Sequence, residues 1–254
     1  MQFLNRLIPA TSSLVVFVIL EQLIASPKQI YLLVTVMFVV LASGVFQLAD
    51  RKASKIKFWA LLITPVLLLG SGVLFLSFLE GPIFKQFFIL VTVISLWSYL
   101  EVVYLWLHFR AKYQAHSLEN ISHYLNLLAI FWFSSGFLGL VLFLGFSKWI
   151  FILTLAGVVA LLSYQLVWVN GVNLKSSWLY PSIITLLVTE IYLVVNFLPT
   201  SIYVGGLVTT LSYYLLAGIG RNWLVGIKEY KVVRRYAIIG SVCLILILTT
   251  AKWF

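Results

Sequence analysis

Nine apolar runs separated by short basic turns limit this chain more than any other feature. They lie at roughly 9–26, 30–48, 58–79, 84–109, 121–146, 149–169, 178–198, 202–220 and 237–253. A helix of about 20 residues crosses a hydrocarbon layer of about 30 Å, and most of these runs are of that order. Lipid offers no partner to a backbone N–H or C=O, so each crossing must be a helix or part of a closed barrel. A barrel alternates polar and apolar residues in segments of about ten. Runs such as that from Ala60 to Phe78 are apolar on every side, which selects helices. Composition agrees: 63% of the 254 residues are hydrophobic and 9% are charged, whereas a soluble domain carries about 25% charged residues. The expected fold class is therefore all-α, a polytopic transmembrane bundle forming a single domain over 1–254.

The charges indicate an orientation. With the N-terminus in the cytoplasm, the inner turns carry Arg6, Arg51, Lys52, Lys55, Lys57, Arg110, Lys112, Lys175, Arg221, Lys228, Lys231, Arg234 and Arg235. The outer turns carry Lys28, Lys85, Lys148 and Lys252. All six arginines thus fall inside, as the positive-inside bias requires, and an odd number of spans puts the C-terminus outside. The net charge of +10 is explained by this sorting and implies no nucleic acid. The first run reads as a retained signal anchor, because Glu21 and Gln22 interrupt it and Leu23-Ile24-Ala25-Ser26 makes a poor cleavage site. Trp59, Tyr124, Trp149, Trp178 and Tyr236 sit near run ends, where an aromatic belt forms.

Polar chemistry concentrates between Trp97 and His123. This stretch holds Glu101 and all three histidines, His108, His116 and His123. Ser98, Glu101, Tyr104 and His108 recur at helical spacing and form one stripe. Such a stripe can relay protons, bind a polar head group, or simply seal a polar seam between helices. Glu101 sits about 12 Å from the inner end of its span, Glu190 about 12 Å from the outer end of its own, and Glu21 about 8 Å from an outer end. A mid-bilayer carboxylate costs roughly 2.5–3.5 kcal/mol on insertion scales, so each needs a purpose or a partner. Ser135 with Gly139, Gly70 with Gly72, and Gly218 with Gly220 are expected helix contacts. Pro65 and Pro181 are expected to disturb their helices. Ser98-Tyr99, Ser163-Tyr164 and Ser212-Tyr213 recur in spans of like direction, as a duplicated hairpin or chance would produce.

Several chemistries find no support. Asp50 is the sole aspartate, so the paired aspartates that hold magnesium in membrane prenyl or phosphatidyl transfer are missing. No zinc H-E-x-x-H, serine elbow or phosphate loop occurs. His116, Glu119 and His123 share a helical face, but the two histidines would stand about 10 Å apart, too far for one ion. Cys243 is alone, which excludes an internal disulfide. Neither a metal nor a cofactor is expected. The cluster Arg221, Lys228, Lys231, Arg234 and Arg235 forms a cytoplasmic basic surface suited to anionic lipid head groups.

From about Asn120 onward the chain resembles a family of small polytopic membrane proteins from Patescibacteria. The resemblance lies in Glu190, Leu198-Pro199, Tyr213-Tyr214, Arg221, Ala251 and Trp253. It implies a bacterial inner membrane and draws notice to Glu190 and Arg221, with no activity attached. Three function classes stay open. The first is a non-enzymatic scaffold, assembly or lipid-associated accessory protein with the bilayer and a membrane protein as partners. The second is a proton-coupled carrier of a small or amphipathic solute, using Glu101 and Glu190. The third is a lipid-modifying enzyme acting through the stripe from Glu101 to His108.

Overall fold

The computed structural model of the protein describes residues 2–49, 55–172, 177–224, 226 and 229–251, with side chains described from residue 6 and again from residue 58. Among the described residues the chain forms nine α-helices, one short 3-10 turn at Pro27–Gln29, and no sheet. The helices are α1 Gln2–Ala25, α2 Ile30–Leu48, α3 Lys55–Leu76, α4 Pro82–His108, α5 Ser117–Leu144, α6 Lys148–Val169, α7 Leu179–Val195, α8 Ile202–Leu224 and α9 Tyr230–Thr250. Eight of them are long and apolar enough to cross a membrane. The chain is thus a polytopic helical membrane protein. The ninth, α7, has 17 residues, about 25 Å of rise and the lower limit for a crossing.

The chain groups into two compact units, 1–125 and 126–254. No linker marks the division, because α5 runs through it.

In the first unit α1 packs on α2 and α4, and α3 packs on both α2 and α4. The buried face of α2 is Leu33, Met37, Leu41, Gly44, Val45 and Leu48, a stripe at three- and four-residue steps. Gly44 allows the close approach to α1, since a Cβ there would stand 2.8 Å from Ser12 Oγ. The buried face of α4 follows the same spacing through Thr92, Leu96, Tyr99 and Val103. Pro65 lies inside α3. A proline has no N–H, so the carbonyl four residues earlier, that of Leu61, loses its helical donor. The fully buried Tyr99 of α4 supplies the replacement: its hydroxyl donates to the Leu61 carbonyl at 2.7 Å.

In the second unit α8 is central, packing on α6, α7 and α9. Its glycines make this possible. Gly206 faces Ser135 of α5, Gly220 would place a Cβ 2.6 Å from the Tyr180 ring of α7, and Gly218 faces the Tyr236 ring of α9. Ser135, Gly218 and Gly220 are thus at helix contacts, as expected. The end of α7 returns to the start of α6, where Lys148 Nζ sits 3.9 Å over the Phe197 ring.

Several boundaries differ from the sequence reading: α1 begins at Gln2, seven residues before the expected run, α5 starts four residues early and α8 ends four residues late. The run at 178–198 contracts to α7, whose last residues turn away at Asn196, with its side-chain amide donating to the Tyr192 carbonyl. The run expected at 237–253 begins seven residues earlier, at Tyr230, so Lys231, Arg234 and Arg235 belong to a helix rather than a turn. Lys and Arg are good helix formers, and their long stems can lie along an apolar surface with the charge at its edge. Asp50, Arg51, Lys52, Lys175, Lys228, Lys252 and Trp253 lie outside the described residues.

Candidate functional site

The stripe on α4 is only partly assembled. Tyr104 is buried, and its ring stacks on His108 at 5.3 Å between centroids with 23° between planes. Ser98 and Glu101 are half-buried on the same helix. Among the described residues neither makes a side-chain hydrogen bond or ion pair, so the acid is not linked to the imidazole. Glu21 does have a partner: Gln86 Nε2 of α4 donates to its Oε2 at 3.1 Å, which ties the last turns of α1 to the first turns of α4.

Beyond α4 the chain turns through a compact knot. The Tyr113 hydroxyl accepts from the Leu118 N–H at 3.0 Å and donates to Glu119 Oε2 at 3.3 Å. An N–H in the first turn of α5 thereby gains an acceptor it lacks within the helix. His116 Nδ1 lies 3.5 Å from Glu119 Oε1 and takes a left-handed backbone with φ 65°. His123 is buried one turn further on. Among the described residues no three His, Cys, Asp or Glu side chains gather as metal ligands would.

Glu190 has a different setting. It is exposed on α7, five residues from the helix end, and lines an open groove of about 510 Å³ between α6 and α7. Ala156 and Ala160 form the α6 wall, and Ser182, Thr185, Thr189 and Leu186 line the α7 side. Each of those hydroxyls is spent on its own helix: Ser182 donates to the Trp178 carbonyl at 3.0 Å, Thr185 to Pro181 at 2.6 Å, and Thr189 to Thr185 at 2.7 Å. Thr185 and Thr189 therefore offer their methyls, and the Glu190 carboxyl is the one ionisable group of that lining. Among the described residues it has no ion-pair or hydrogen-bond partner.

The sequence reading followed acids and missed a cluster of amides and hydroxyls. Asn126 of α5 donates through Nδ2 to Gln165 Oε1 of α6 at 3.0 Å. Tyr213 of α8 faces Ser163 and Asn126. All four side chains are at most 1% exposed. The Tyr213 hydroxyl stands close to those two groups but outside good hydrogen-bond geometry with either. The available signal was an Asn and a Gln inside apolar runs, since such residues act between helices in lipid. The three Ser-Tyr pairs do not share a setting: Tyr99 and Tyr213 are fully buried, while Tyr164 is half-exposed.

The basic residues also divide. Arg221 of α8 is half-buried and donates from Nε to Asn170 Oδ1 at 3.2 Å, just past the end of α6. Lys231, Arg234 and Arg235 are exposed on the first two turns of α9. Trp59, Tyr124, Trp149 and Trp178 are exposed as belt residues should be, but Tyr236 turns inward against Gly218. Comparison with family models, curated proteins and solved structures finds no match to the chain.

Proposed function

We propose that the protein is a non-enzymatic membrane scaffold or assembly factor, and that the α6–α7 groove receives a transmembrane helix of a partner protein. The observation that carries this reading is Glu190, an exposed carboxyl in a groove whose hydroxyls each give their proton to their own helix. A path for a hydrophilic solute needs donors as well as acceptors, and the hydroxyls of this wall have no proton left to give. A helix needs a smooth channel with small residues on one side, and Ala156 and Ala160, four apart on α6, fit that packing mode. A partner Lys, Arg or amide opposite Glu190 would supply the bond the carboxyl lacks. The membrane is a bacterial inner membrane on the strength of the Patescibacteria resemblance, and the sorting of cations puts the N-terminus in the cytoplasm.

The test is a photo-reactive residue placed at Leu186 in native membranes, with a second at Ile94 of α4 as a control. The expected result is a discrete protein adduct at Leu186, absent at Ile94. A hydrogen bond to a charged group is worth roughly 1.5–3 kcal/mol, so Glu190→Leu should reduce the adduct about tenfold or more. Lipid adducts alone, or an adduct indifferent to Glu190→Leu, overturn the reading.

The proton-coupled carrier is the second reading. It is favoured by the buried Asn126, Gln165, Ser163 and Tyr213, which place donors and acceptors inside the second unit. Proteoliposomes holding the protein would then show a proton flux that Glu190→Gln or Glu101→Gln abolishes. Flux no greater than in protein-free vesicles rejects the carrier.

A further inference from the structure

We infer that the cleft between α8 and α9 is a binding site for the head group of an anionic phospholipid. The cleft has a volume of about 240 Å³ and is lined by Tyr214, Asn222, Val232, Arg235, Tyr236 and Ile239. It lies where α9 begins and α8 nears its end, at the level where a bilayer passes from hydrocarbon to head groups if these helices span it.

The chemistry of the lining suits a phosphodiester. Arg235 brings a guanidinium, which grips phosphate oxygens through two parallel N–H groups. The Asn222 side-chain amide donates to the Gly218 carbonyl at 2.8 Å and reaches the Tyr236 hydroxyl at 3.5 Å. That hydroxyl is therefore held as an acceptor on one side, and its own proton is left to point at an incoming oxygen. Tyr214 packs its ring against Tyr236 at 5.5 Å, which fixes the phenol. Val232 and Ile239 supply apolar wall for the first carbons of the lipid.

The charge around the cleft is mainly positive, with Glu229 at the cap of α9 the one acid near it in sequence. Lys231 and Arg234 flank Arg235, and among the described residues none of the three has a carboxylate within ion-pair distance. A zwitterionic head group would bring its own cation into this field, whereas an anionic one would not. The lipid rather than free phosphate is the occupant because α9 continues from the cleft into an apolar face of exposed Ile238, Val242 and Ile245, along which acyl chains can lie. This site shares no residue with the α6–α7 groove, so the two proposals stand or fall separately.

The test uses purified full-length protein in mild detergent, titrated with phosphatidylglycerol, phosphatidylcholine and inorganic phosphate, with bound lipid counted by native mass spectrometry. Phosphatidylglycerol should bind at least tenfold more tightly than phosphatidylcholine, and millimolar phosphate should not displace it. Arg235→Gln should weaken phosphatidylglycerol about tenfold. Arg234→Gln, which removes an equal charge outside the cleft, should change it less than threefold. If Arg235→Gln does not purify folded, Tyr236→Phe keeps the ring and should still weaken binding about threefold. Equal losses for Arg234→Gln and Arg235→Gln would reduce the effect to diffuse surface attraction and overturn the site. Displacement by phosphate, or no preference for phosphatidylglycerol, overturns it as well.

Discussion

Tyr113 shows how much one side chain outside the membrane can control. Its phenol accepts from the Leu118 N–H and donates to Glu119; ionisation would keep the first bond but turn the second into a repulsion between two anions in a partly buried turn. Burial raises its pKa above the ordinary 10.0, and the nearby Glu119 charge raises it further, against the Leu118 bond that lowers it. A group whose folded pKa is raised contributes stability that is complete below the unfolded pKa and lost as pH rises through the folded one. The start of α5 should therefore loosen above pH 10, and Tyr113→Phe should remove that part of the alkaline transition. Amide exchange of residues 117–121, compared between the two proteins at pH 9 and pH 11, would show it. Equal alkaline loosening in both would reject this role. At this scale the sequence was partly legible. The Tyr104–His108 contact follows from helical spacing, but nothing in spacing brings Tyr113 onto Glu119, because the turn between them is not helical.

Helix α3 tolerates Pro65 because its neighbour answers for the missing donor. The Leu61 carbonyl is buried, and a buried acceptor left unmet costs about 1–3 kcal/mol. Tyr99→Phe should lower stability by that amount, read as a drop in unfolding midpoint in detergent. Pro65→Ala combined with Tyr99→Phe should recover most of it, since an alanine in place of the proline gives the Leu61 carbonyl back its helical N–H. A double variant as unstable as Tyr99→Phe alone would show that the phenol acts by some other route. The sequence exposed Pro65 as an oddity but not its remedy, because hydropathy reports the face of one helix and Tyr99 sits on another. The same blindness hid Asn126, Gln165 and Tyr213, which come from three helices. Run length, by contrast, is a property of each segment alone, and it placed all nine of the described helices. Boundaries failed where charged residues continued a helix, as at Lys231, Arg234 and Arg235 of α9.

For the whole molecule the number of crossings decides everything about sidedness. Its weakest point is α7, whose 17 residues would cross only by thinning the bilayer around them. Reporter domains active only in the cytosol, fused at either end of the chain, should signal from the N-terminal fusion alone. Signal from both would mean that one helix does not cross, with α7 the first to examine. The division into two compact units needs no linker and left no mark in composition, because it falls inside the continuous α5. The pairing of Pro65 with Tyr99 also sets an order of exchange. An imino acid arriving first would have stranded the Leu61 oxygen, whereas a phenol arriving first finds that oxygen already served and does no harm. Exchanging Tyr99 is therefore costly while Pro65 stays, whereas exchanging Pro65 first leaves the phenol free to go.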